Sequence, residues 1–451
     1  MTGRRSALVE HLDRFKMPST VGNSGIFLAA SSSGSTCAPF FRGYLAMPRR
    51  TADLVLVLAQ VVRTRFYTPP GMLQRLIVQR DPVITCGGGM LRLEGFSPCC
   101  GVYARMDLRE EAFDADRMES GTSNVDFNPT MRGALAKLDS RERARLEVSA
   151  QGFTLTPQSS EAAFERRVKL PVRWIKGFVE VQAHQSRMER RFHISGVMGQ
   201  RFLREVPGQS TPQPVWITPW NRSIRISHAR IEGGVLAGGI ERLRILREVA
   251  RHATEFIIYS GADGATAWQL ETGDARLFLV LSPQASRGLS GEGQVLDSLA
   301  TNSSVTSRLR ALLRWQADLR PRALADELQA GERDVRAALG ELGTSGLVGY
   351  DLAEGAYFHR ELPLDTSYLQ RLHPRLNGAQ ELARTGAVEL DAQGAWVRGR
   401  DVDYYVRHEP TGQWRCSCPW ASRHGESRGP CKHVLAAEIV SGKGRADVER
   451  R

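Results

Sequence analysis

Apolar positions along this chain change period several times, and each change marks an expected element. From Thr51 to Val62, the residues Leu54, Val55, Val57, Leu58, Val61 and Val62 recur at helical spacing over one broad face. From Pro82 the pattern turns strand-like: Val83-Ile84-Thr85-Cys86, then Gly87-Gly88-Gly89, then Leu91-Arg92-Leu93-Glu94. The glycine triplet predicts a hairpin turn. It lacks the lysine and following Ser/Thr of a phosphate loop. Cys99 and Cys100 stand before Gly101-Val102-Tyr103-Ala104-Arg105 and read as packing residues at a strand start. Helices are predicted within 168–184 and over 240–249. Arg276-Leu277-Phe278-Leu279-Val280-Leu281 is apolar enough for a strand buried on both faces. Residues 1–38, with the run Ser31-Ser32-Ser33-Gly34-Ser35, read as a flexible segment. Residues 39–290 read as a mixed α/β region.

Residues 295–362 carry a different pattern. Helices are predicted over 305–317, over 322–328 after Pro321, and over 332–342. Proline suits the first position of a helix because its φ is already helical. In the third helix Val335, Ala338, Leu339 and Leu342 share one face. Leu347-Val348-Gly349-Tyr350 and Ala356-Tyr357-Phe358-His359, around Ala353-Glu354-Gly355, then predict a hairpin. Three helices and a hairpin are the pattern of a winged helix-turn-helix. The third helix opens Glu332-Arg333-Asp334-Val335-Arg336, and its acids oppose contact with phosphates. Packing or protein contact suits this helix as well as duplex reading does.

The candidate chemistry is concentrated near the C-terminus. Cys416-Ser417-Cys418 is followed by Cys431-Lys432-His433. Three thiolates and one neutral imidazole match the ligand set of a closed, four-coordinate zinc site. Asp403–Arg407 and Gln413–Cys418 read as strands, and strand residues i and i+2 face the same side. Pro419 has no N–H and ends the ladder. The polar stretch from Trp420 to Gly429 reads as a loop, with His424 as an exposed loop residue rather than a ligand. Val434–Val440 reads as a short helix stopping near Gly442, with Cys431 and His433 at its start, where the helix dipole favours a thiolate. Tyr405 and Trp414 are expected packing residues. The predicted unit is a small β-β-α finger over 395–442, followed by a basic tail at 443–451. Arg415, Arg423, Arg428 and Lys432 lie around it and are the candidate nucleic-acid contacts.

The C-x-C…C-x-H spacing resembles the SWIM zinc finger family, and Cys416, Cys418, Cys431 and His433 each match a ligand position. Gly95–Arg105 and Leu347–Leu352 are similar to the upstream region of bacterial SWIM proteins. Those proteins are often encoded beside a MoxR-type AAA+ ATPase and a von Willebrand A-domain protein. The resemblance implies one structural Zn2+ and a protein partner of the AAA+ or von Willebrand A-domain kind. The family finger is a DNA- or protein-interaction module, so nucleic acid stays open as a partner.

The formal net charge of +12 suggests a polyanion partner, but its distribution moves that suggestion away from the finger. Residues 1–80 hold eleven Lys/Arg against three acids, 301–360 hold eight of each, and 401–451 hold nine against seven. Seven cysteines with one clustered set fit a metal site in a reducing, cytoplasmic compartment better than a disulfide framework. No apolar run approaches the ~18 residues of a membrane span. No Ser/His/Asp set, H-E-x-x-H or G-x-G-x-x-G pattern occurs, and His184, His193, His228 and His252 are scattered. The expectation is an α+β protein acting as a non-enzymatic interaction module or adaptor. The alternative is a DNA-binding regulator using the winged helix and the finger.

Overall fold

A computed structural model describes residues 20–22, 25–27, 31–32, 38–67, 82–125, 127–166, 172–210, 213–261, 264–284, 288–289, 304–362, 374–410, 413–425 and 429–448. The chain is α+β. In the segment expected to be flexible, Thr20–Gly22 pairs with Gly25–Phe27, and Ser31 and Ser32 pair with Thr122 and Gly121. The rest of 1–37 lies outside the described residues.

Helix α1 (Pro48–Arg63) matches its periodicity, with proline in its first turn and Leu54, Leu58 and Val61 fully buried. It packs on the strands Met90–Phe96 and Val102–Arg109. Burial of each such aliphatic side chain contributes about 1.5–3 kcal/mol. The strands belong to a nine-stranded sheet. Its order is Glu189–Ser195, Glu255–Ser260, Thr266–Glu271, Ala275–Leu281, Val102–Arg109, Met90–Phe96, Val83–Gly87, Gly121–Asn124, Ser31–Ser32. Ala275–Leu281 is buried at every position, as its apolar run predicts. The hairpin at Gly88 and Gly89 turns with both φ positive, +59° and +74°, the geometry of a two-residue type I′ turn. A Cβ on Gly88 would also lie 2.7 Å from the Ala317 nitrogen. A five-stranded sheet, which includes Phe41–Leu45 and Ala144–Ser149, shares a core with α1 and the large sheet through Phe41, Leu146 and Phe153. Helix α2 (Pro129–Lys137) closes that side, with the Asn128 side chain accepting from the Met131 N–H as its N-cap.

Helix α3 (Val172–Gln185) lies in the span predicted over 168–184 and runs one residue past it, and α4 (Gly196–Glu205) is capped by Ser195. The segment predicted as a helix over 240–249 is instead a 3₁₀ run, Ile240–Glu248. It starts from Gly239 at φ +62°, and the buried Arg242 guanidinium donates to the carbonyls of Gly101, Gly238, Gly239 and Ser282. The Cys100 thiol is buried at the strand start, as expected.

Helix α5 (Ser304–Leu312) stops short of the predicted 317. Trp315 turns the chain at φ +61°, packs its ring on Gly87, and donates its N–H to His359 Nδ1 at 2.7 Å. Leu319 then pairs with Tyr357. Helices α6 (Pro321–Leu328) and α7 (Glu332–Thr344) and the strands Val348–Asp351 and Ala356–His359 follow. Leu309, Leu324, Val335, Leu339 and Val348 form their core. The hairpin is docked on the large sheet by buried charge. Asp351 meets Arg105 Nη2 at 3.0 Å, Arg92 Nη2 at 3.5 Å, and Arg276. Arg276 and Arg105 also meet Asp107, at 2.8 and 3.0 Å. Arg360 donates to both oxygens of Glu94, at 2.6 and 2.8 Å. Burial would raise the Asp351 carboxyl, but Arg105, Arg276 and Arg92 hold it well below the usual carboxylate range.

The C-terminal unit is larger than the predicted β-β-α finger. Helix α8 (Pro374–Arg384) precedes a four-stranded sheet of Val388–Leu390, Gly394–Val397, Tyr404–His408 and Trp414–Cys416. The stretch predicted as a loop after Pro419 begins with a short helix, α9 (Pro419–His424), and the final helix α10 (Lys432–Val448) runs past Gly442 into the expected basic tail. Residues 449–451 lie outside the described residues. Helices α8 and α10 pack together over the sheet through Leu376, Ala379, Leu435 and Ala436. Among the described residues no helix is long and apolar enough to cross a membrane.

Candidate metal centre

Each predicted ligand is delivered by a different local device. Cys416 ends the strand Trp414–Cys416, directly opposite Val406 on the neighbouring strand. Cys418 lies beyond the strand as the N-cap of α9, where its sulfur accepts from the Ala421 N–H at 3.5 Å. The expected i, i+2 placement on one strand is therefore replaced by a strand end and a helix cap. Cys431 immediately precedes α10, and its sulfur accepts from the Val434 N–H at 3.5 Å. His433 lies in the first turn of that helix. Both helix starts present N–H groups to a sulfur, which favours the thiolate form.

The four ligand atoms lie within 4.8 Å of one another, the only such cluster among the described residues. His433 Nδ1 is 3.7 Å from Cys416 Sγ and 4.0 Å from Cys431 Sγ. With Zn–S near 2.3 Å and Zn–N near 2.0–2.1 Å, a tetrahedron has S···N edges of about 3.5 Å, so the donor set fits zinc. Cys418, Cys431 and His433 are buried and Cys416 is half-buried. The zinc site is thus formed by Cys416, Cys418, Cys431 and His433. Four protein ligands leave no open position for water or substrate, the arrangement of a structural site. His424 is the last residue of α9, its ring 4.3 Å from Trp420, and is outside the cluster.

The Tyr404 ring stacks on His433 at 4.5 Å and 24°. The expected packing residue Tyr405 faces the other way, against Trp396, with its hydroxyl donating to Asp391. The signal was present in the strand period: Tyr404 and Val406 share the face of Cys416. Of the candidate nucleic-acid contacts, Arg415, Arg423 and Lys432 are exposed. Arg415 pairs in register with Arg407. Arg428 lies outside the described residues.

The thiols are electrostatically unequal. The hydrogen bond from Cys416 holds Cys431 down to about 4, while the same contact pushes Cys416 far up and burial raises Cys418. In the metal-free cluster Cys416 and Cys418 therefore hold their protons more tightly than Cys431 does. Zinc binding should release protons chiefly from those two, and affinity should climb with pH through the neutral range. Calorimetry in buffers of different ionisation enthalpy measures this directly. Release of three protons would place Cys431 with the ordinary thiols.

Residues 410–442 match the SWIM zinc finger. No curated protein matches the chain. Among solved structures, Proliferating Cellular Nuclear Antigen from Entamoeba histolytica is similar at 11% identity and a TM-score of 0.39, covering 54% of this chain and 99% of that one. The PCNA2-PCNA3 complex from Sulfolobus tokodaii is similar at 8% identity and the same TM-score and coverage.

Proposed function

We propose that this protein is a cytoplasmic, non-enzymatic adaptor whose zinc-held C-terminal unit engages a protein partner. The observation that supports this most is the docking of the hairpin at 348–359. If the unit at 304–362 is a winged helix, its wing is buried against Arg92, Arg105 and Arg276 rather than free to follow a groove. Its third helix presents Glu332, already paired with Arg336, which leaves little positive charge to offer a phosphate backbone. A mixed polar surface of this kind suits a protein interface. By family resemblance, the partner is an AAA+ ATPase or a von Willebrand A-domain protein.

The second reading is a duplex-DNA regulator, favoured by the exposed Arg415, Arg423 and Lys432. Affinity purification from native cytosol with zinc intact separates the two. The adaptor reading expects a protein partner recovered by the wild type and lost with Cys418→Ser. Duplex binding that survives moderate salt and disappears in Arg333→Ala with Arg336→Ala would instead establish the regulator.

A further inference from the structure

We propose that the groove between the edge strand Glu189–Ser195 and the hairpin Trp216–Trp220/Ser223–Ser227 binds single-stranded nucleic acid. Glu189–Ser195 is the last strand of the nine-stranded sheet. The groove beside it encloses about 530 Å³, and its lining includes Arg191, Phe192, His193, Trp220 and Arg222.

The hairpin register sorts its side chains by face. Trp216 opposes Ser227, Thr218 opposes Arg225, and Trp220 opposes Ser223, so Trp216, Trp220 and Arg225 share one face. The other face carries Ile217 and Ile224, both in the core. Trp220 is 51% exposed, an unusual position for so large an apolar ring. The Arg225 guanidinium covers one side of it at 3.9 Å. At the tip, Asn221 and Arg222 both take left-handed backbone, φ +45° and +28°. This is the backbone that a two-residue type I′ hairpin turn requires, and it sets Trp220 and Ser223 directly opposite each other.

From Trp220 to Arg230 the chain has three arginines, one histidine and no acid. Arg191 and His193 are already engaged, with Glu189 at 3.5 Å and Glu255 at 3.1 Å. Among the described residues, no carboxylate pairs with Arg222, Arg225 or Arg230. An exposed aromatic ring flanked by unneutralised guanidinium groups is what single strands require: bases stack on the ring and phosphates meet the cations. An acidic peptide would use the cations but leave the ring face without a planar partner, so nucleic acid is the better match.

The inference is independent of the adaptor reading, because neither the zinc unit nor the docked hairpin lines this groove. Its test is fluorescence anisotropy of the full, zinc-loaded chain with labelled oligo(dT) and oligo(rU), each about 15 nucleotides long. Binding in the micromolar range is expected at low salt, with log Kd rising against log salt at a slope of about 2 for three phosphates neutralised. Trp220→Ala should weaken binding about tenfold and Trp220→Phe much less. Arg222→Ala and Arg225→Ala should each flatten the salt dependence. Equal affinity of wild type and Trp220→Ala would overturn the proposal, as would polyglutamate binding more tightly than the oligonucleotides, or no oligonucleotide binding at low salt.

Discussion

Cys418→Ser should empty the zinc site and unfold residues 374–448 while the remainder of the chain stays folded. The reason is the size of the local core. Leu376, Ala379, Val397, Val406, Leu435 and Ala436 form it together with Cys418 and Cys431 themselves, so the ligands are part of the packing as well as the coordination. A core of this size seldom sustains a fold unaided. Structural zinc in finger peptides contributes apparent free energies of about 10–16 kcal/mol at neutral pH, as large as the whole stability of a typical domain. Serine keeps the shape of cysteine but is a poor zinc ligand. Elemental analysis should find one zinc per wild-type chain and none in the variant. Hydrogen exchange should lose protection in Tyr404–His408 and in the first turns of α10, and keep it in Ala275–Leu281. His424→Ala should retain the metal, because His424 packs against Trp420 at a tilt and is outside the four-ligand cluster. A variant at Cys418 that keeps its zinc, or one at His424 that loses it, would show the ligand set to be wrong.

The elements legible in the sequence were those specified by short-range pattern. Helix α1, the hairpin through Gly88 and Gly89, the strand Ala275–Leu281 and the final helix all follow local periodicity or turn chemistry. The zinc ligands were legible for the same reason: their spacing is local and their chemistry is specific. What was not legible depended on distant partners. Helix α5 ends early because Trp315 turns onto Gly87 and His359, neither of which its own periodicity can report. The short helix α9 read as polar loop because its cap is a cysteine thiol, which helix-start rules do not include. The alternation Leu91-Arg92-Leu93-Glu94 would place Arg92 and Glu94 in solvent, yet both are buried. Their partners Asp351 and Arg360 stand more than 250 residues further along, in the unit that covers this face of the sheet. The Trp220 surface escaped for a related reason: its arginines lie in one short stretch, but the exposure of Trp220 beside them and their shared face are set by the hairpin register and the sheet edge.

The same buried cluster gives the second large effect. Asp351→Asn should destabilise the protein by about 3–5 kcal/mol, the range for removing one member of a buried ion pair. Arg92, Arg105 and Arg276 surround two fully buried carboxylates, Asp107 and Asp351. Asparagine preserves volume but removes the charge, leaving three buried guanidinium groups on Asp107 and the half-exposed Glu354. The hairpin should then release first, because Asp351 is a main point of its attachment, beside Arg105 Nη1 to the Tyr350 carbonyl at 2.7 Å and the buried Arg360–Glu94 pair. Urea denaturation measures the stability loss, and hydrogen exchange in Val348–Asp351 and Ala356–His359 locates it. The pH dependence follows from the direction of the Asp351 shift. A carboxyl held below its ordinary value stabilises the fold above about pH 4 and loses that contribution as pH falls toward its folded-state value. The wild type should therefore lose stability in acid over a range that Asp351→Asn lacks, so the two stabilities converge at low pH. Glu332→Gln, which breaks the exposed i, i+4 pair with Arg336, should change stability by less than about 0.5 kcal/mol. If Asp351→Asn proves as mild as Glu332→Gln, the cluster is not what holds the hairpin to the sheet, and the wing geometry would again be available to a duplex.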